Sequence, residues 1–83
     1  MMNKKETFDY DKLRGLIKER VGTEKEFADK LGITPQALSN RLGNKTDFTP
    51  AEILKAHKIL LFNMSDVSAY FFTLKVQKHE QTA

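Results

Sequence analysis

Apolar residues recur along this chain at intervals of three and four, and each recurrence is bounded by residues that start or stop helices. Leu13, Leu16 and Ile17 trace a first stripe with Arg20, preceded by Asp9 as a cap and ended at Gly22. Phe8 and Leu13 are spaced as a hydrophobic staple around that cap. Gly15 lies inside this helix, where it costs about 1 kcal/mol relative to Ala, and close helix packing is the expected reason for it. Thr23 with Glu26 three residues on has the capping-box spacing, and Phe27, Ala28 and Leu31 fall on one face behind it. Gly32 follows where the chain must turn through positive φ. Ile33 plugs the turn, Thr34 caps a third helix, and Pro35 occupies its first position, where a missing N–H does no harm. Leu38 and Leu42 point inward at i, i+4.

The same grammar continues. Gly43-Asn44-Lys45-Thr46-Asp47 is turn-rich. Thr49, Pro50 and Glu52 then repeat the start signal, with Phe48 and Ile53 as staple, and Ile53, Leu54, His57, Leu60 and Leu61 carry a fourth helix to about Leu61. Asn63 caps a fifth, with Asp66 at its third position and Val67, Tyr70 and Phe71 as its apolar face. At Phe72 the period changes. Phe72, Leu74 and Val76 alternate with Thr73, Lys75 and Gln77, the two-residue repeat of a strand. So short a strand cannot stand alone: it folds back on the domain, pairs with a second chain, or stays disordered. The expected architecture is all-α, five helices with a short extended C-terminal segment. A loose arm over residues 1–7 precedes a domain over residues 8–72, and residues 73–83 form an extended or disordered tail.

The helix pair over residues 23–42 reads as a helix-turn-helix. With Leu38 and Leu42 inward, Pro35, Gln36, Ser39 and Asn40 face outward, a short polar surface suited to base edges in a major groove. Between Leu31 and Thr46 the only charges are Arg41 and Lys45, both positive and without acids near them in sequence, which makes them candidate phosphate contacts.

Composition narrows the remaining classes. A chain of 83 residues forms one small domain, and with no cysteine it has no disulfide staple, thiolate metal site or Cys nucleophile. The net charge of +3 permits nucleic-acid binding without establishing it. His57 and His79 lie far apart, no cluster has metal-ligand spacing, and Ser39 lacks a base within its motif. Neither an enzyme nor a cofactor or small-molecule substrate is expected. No long apolar run or signal-type segment appears, so no membrane association is expected.

Phe8-Asp9-Tyr10, the helix-turn-helix residues, the Phe48-Thr49-x-x-Glu52-Ile53 start and the closing Tyr70-Phe71-Phe72-Thr73-Leu74-Lys75-Val76-Gln77 together resemble the Cro/repressor helix-turn-helix family, and more narrowly the small Cro-like proteins of phages and prophages of Gram-positive bacteria. That resemblance implies a five-helix, lambda-repressor-like fold and a transcriptional regulator in the cytoplasm of a bacterial host. It implies binding to a double-stranded operator as a homodimer. Base reading falls on Pro35, Gln36 and Asn40, and phosphate contact on Thr23, Glu24, Asn44 and Lys45, to which Thr34 and Arg41 are added. Glu24 departs from the family's usual Gln, and Pro35 can offer a base only apolar contact. Leu61 stands where relatives often end the fourth helix with Gly. Phe72, Leu74 and Val76 are the candidate dimer contact, since paired edges satisfy each other's backbone groups. The alternatives are a fold of this kind used to bind a partner repressor, and the antitoxin of a toxin–antitoxin pair.

Overall fold

The computed structural model describes residues 7–75. Among them are five α-helices: α1 (Asp11–Arg20), α2 (Glu24–Leu31), α3 (Pro35–Leu42), α4 (Pro50–Leu60) and α5 (Val67–Phe71), the last preceded by a 3-10 turn over Met64–Asp66. Phe27, Leu13, Ile17, Leu38, Leu60 and Phe71 are fully buried at the centre. The fold is all-α.

Helix starts follow the local chemistry of the chain. The hydroxyls of Thr23, Thr34 and Thr49 accept the N–H of Glu26, Ala37 and Glu52. The full reciprocal box forms only at α4, where Thr49 N–H also donates to Glu52 Oε1 at 3.0 Å. At α2 the Glu26 carboxylate accepts from the Thr23 hydroxyl instead, at 3.3 Å. Asp9 acts one residue outside α1, its Oδ1 accepting Asp11 N–H at 2.9 Å while Tyr10 holds the cap position. Gly32 turns at φ 81°, as the break between α2 and α3 requires.

Four details depart from the sequence pattern. A Cβ on Gly15 would meet nothing within 4 Å, so the close packing expected there is absent. The inward face of α4 is Ala56 and Leu60, whereas Leu54 and Leu61 are 51% and 72% exposed. The small Ala56 carries little hydrophobic weight in a pattern, yet it lets α4 approach the core. Leu61 sits in the left-handed region at φ 60°, costly for a branched residue. That turn is held by Arg20, which donates to Leu60 O at 2.9 Å, and by His57 Nδ1, which donates to Phe62 O at 2.7 Å. Finally, Asn63 offers Asp66 its carbonyl rather than a side-chain cap, and the chain enters α5 through the 3-10 turn.

The alternating segment folds back on its own domain. Phe8 and Leu74 form an antiparallel bridge, flanked by Asp9 N–H to Thr73 O at 2.7 Å and Lys75 N–H to Thr7 O at 3.0 Å. Phe8 packs edge-on against Phe72 at 5.9 Å between ring centroids, and Tyr10, Phe48 and Phe71 continue the edge-to-face contacts inward. Phe72 and Leu74, offered as a dimer contact, remain about half exposed, and Val76 lies outside the described residues. So do most of the expected arm and tail, and Thr7 and residues 73–75 are joined to each other.

Candidate functional site

The exposed faces of α2 and α3 form the candidate site. Leu38 and Leu42 are buried at 1% and 4% exposure, which turns Pro35, Gln36 and Ser39 to solvent and leaves Asn40 half-buried. Gln36 Nε2 donates to Asn40 Oδ1 at 3.1 Å, so these two amides are joined along the helix. A base would have to open that bond or use the atoms it leaves over. Thr23 and Thr34, both exposed, serve as helix caps.

Arg41 does not flank this face as a free charge. Its Nε and Nη2 donate to the two carboxylate oxygens of Glu52 at 2.8 and 3.0 Å, and its Nη1 donates to Ala37 O at 3.1 Å. The paired side chains are only 17% and 13% exposed. The expectation that no acid stands near Arg41 is corrected here: the acid comes from the first turn of α4, eleven residues on. Burial alone pushes the Glu52 carboxyl up. Hydrogen bonds from Arg41 and the Thr49 N–H, with the charge of Arg41, outweigh it and hold the carboxyl below its ordinary range.

Asn44 is likewise engaged inside the fold. It adopts φ 65°, a region Asn tolerates better than most residues. Its Oδ1 accepts Phe8 N–H at 2.8 Å, and its Nδ2 donates to Phe8 O at 2.9 Å. The side-chain amide thus takes the place of a neighbouring strand beside Phe8. An Asn after a helix-ending Gly was legible as a turn residue; its partner 36 residues back was not. Lys45 is exposed and takes no ion pair among the described residues.

Acids border the same face. Glu24 accepts from Arg14 Nη1 at 2.8 Å, in a pair about half exposed and worth little energy. Glu26 and Asp29, with Lys25, line an open groove whose apolar walls are Ile33 and Pro35. The described residues hold no group of His, Cys, Asp or Glu able to bind a metal, and no helix among them is long and apolar enough to cross a membrane.

The architecture defines a small all-helical domain in which α2 and α3, joined through the Gly32 turn, present one exposed face. Residues 6–74 match the family described as a protein of unknown function (DUF739), and the chain belongs to that family. Among solved structures it is similar to the modulator of repression (MOR) of the temperate bacteriophage TP901-1 from Lactococcus lactis. The identity is 38%, over 84% of this chain and 95% of that one, with a TM-score of 0.71. No curated protein matches it.

Proposed function

We propose that this chain modulates repression in a phage-type switch by binding a partner repressor protein through the exposed faces of α2 and α3. The observation that carries this reading is the closure of Arg41 on Glu52 and Ala37 O. Affinity for DNA rests on cations neutralising phosphates. Of the phosphate candidates on α3 and the following loop, Arg41 and Asn44 are occupied within the fold, which leaves Lys45 as the exposed one. Glu26 and Asp29, which outnumber the one Lys25 in the groove, oppose a phosphate backbone there, whereas an acid-rimmed apolar groove fits a basic protein surface. The likeness to a phage modulator of repression supports the same reading. A repressor acts in the bacterial cytoplasm, which is where this chain would meet it.

A titration of the chain with the repressor encoded in the same genome tests it. Binding is expected, and the double change Glu26→Lys with Asp29→Lys is expected to weaken it at least tenfold, about 1.4 kcal/mol, while the melting curve stays put. Undiminished affinity in a folded double variant would contradict the assignment of this face.

Operator binding is the second reading, favoured by the solvent-facing Pro35, Gln36 and Ser39 on a capped helix. On that reading the chain binds as a homodimer, Gln36 and Asn40 read adenine edges, and Lys45 holds a phosphate. Gln36→Ala would then cost about 1–3 kcal/mol on a preferred site and much less on random DNA. Equal losses on both would remove Gln36 as a reader.

A further inference from the structure

Helix α4 is apolar on two sides. Ala56 and Leu60 face the core, whereas Leu54 and Leu61, two turns apart, share the solvent side. Met64, 45% exposed, opens the 3-10 turn three residues further on. A surface helix of a small domain needs only its inward stripe. Leu61 is also the branched residue at φ 60°, where Gly would sit without cost. The fold gains little from this side chain, which is mostly outside the core and strains the backbone that carries it. The charges around the stripe have one sign. Exposed Lys58 stands four residues after Leu54 and three before Leu61, and Lys55 donates to Leu31 O at 3.2 Å beside the α2–α3 turn. From Ile53 to Ser65 the chain carries no acid. Glu52 before that stretch is committed to Arg41, Asp66 follows it, and Glu19 lies 3.8 Å from Arg20 at the end of α1.

We propose that the Leu54–Leu61 side of α4 docks an amphipathic helix of a partner protein, apolar along its centre and acidic on its flanks. Charge complementarity selects that chemistry: a helix laid along the stripe buries its apolar positions on Leu54 and Leu61 and sets its carboxylates beside Lys55 and Lys58. A two-fold copy of the same face would instead bring lysines together. Because Ala56 and Leu60 fix α4 in the core, the exposed apolar surface stays a narrow stripe, which suits a helix rather than the broad apolar face that a bilayer takes up. The proposal does not rest on the repressor reading. The α2–α3 groove is rimmed by acids and this stripe by cations, so the two surfaces select partners of opposite charge.

The test uses two synthetic helical peptides with Leu at i, i+3, i+4 and i+7, one flanked by Glu and the other by Lys, titrated into the full chain with methyl signals observed. The Glu peptide should shift the methyls of Leu54, Leu61 and Met64 with half-saturation near about 100 μM, and the Lys peptide should not. Leu61→Gly should melt no lower than the wild type and bind the Glu peptide at least about fivefold more weakly, which separates docking from folding. Lys58→Glu should weaken it about tenfold, an effect that shrinks in high salt. Glu26→Lys with Asp29→Lys should leave peptide binding in place, whatever that variant does to the repressor. No methyl shift up to about 1 mM would overturn the proposal, as would equal binding of both peptides or undiminished binding by Leu61→Gly. A mass that rises with concentration and falls back in Leu61→Gly would assign the stripe to a second copy and overturn it too. So would anionic phosphatidylglycerol vesicles shifting these methyls where the Glu peptide does not.

Discussion

The first turn of α3 and its last turn are held in different ways. At the first, Thr34 caps its own helix and Pro35, Gln36 and Ser39 meet solvent, with no hydrogen-bond partner from another element among the described residues. At the last, Arg41 is bound to α4 through Glu52, and Asn44 just beyond binds the chain 36 residues back, at Phe8. One end is built from local rules and offered outward; the other fastens the middle of the chain to its flanks. The difference bears on function. The end that could present side chains to a ligand is uncharged, and the cation that would accompany it on DNA is neutralised within the fold.

The contrast sharpens first at Arg41. Arg41→Ala leaves the Glu52 carboxylate largely buried with only the Thr49 N–H and hydroxyl beside it, and should destabilise the domain by about 2–3 kcal/mol in thermal or urea unfolding. Because the folded carboxyl lies below its ordinary range, its contribution is present above that range and is lost as the pH falls through the depressed value. The wild type should therefore lose this stability in acid, and Glu52→Gln should flatten that part of the profile. A fully stable Arg41→Ala variant would break the comparison, for it would make Arg41 as free as Gln36.

Asn44 comes next. Asn44→Ala loses two hydrogen bonds and puts a less tolerant residue at φ 65°, for about 2 kcal/mol, whereas Asn44→Gly loses the bonds but relaxes the backbone, for about 1 kcal/mol. Both should speed exchange at Phe8 N–H. Thr34→Ala, at the open end, should cost about 1 kcal/mol through the lost cap alone. Gln36→Ala should change stability by less than about 0.5 kcal/mol, since its bond to Asn40 lies at the surface.

The same contrast marks what the chain reveals before it is folded. The bounds of α3 and the threonine starts of α2, α3 and α4 are legible because each signal lies within four residues of what it controls. Arg41 looked unpaired because its acid belongs to another helix start, where Glu52 already has a local role as the capping-box residue. Ala56 is too small to register in a hydrophobic stripe, and the left-handed turn at Leu61 depends on Arg20 and His57 reaching it from elsewhere. The candidate face was readable as a surface. Its charge state was not, because long-range pairing decides it.

The most direct test follows the backbone amide resonances of the labelled chain in two parallel titrations, one with the repressor of its own genome and one with double-stranded operator-region DNA. The repressor should move the amides of α2, the α2–α3 turn and the first turns of α3, with Arg41 and Glu52 side-chain signals unchanged. DNA should produce only weak, salt-sensitive shifts around Lys45. Strong, sequence-dependent shifts at Gln36 and Asn40 on adding DNA, with the repressor moving nothing, would contradict the account.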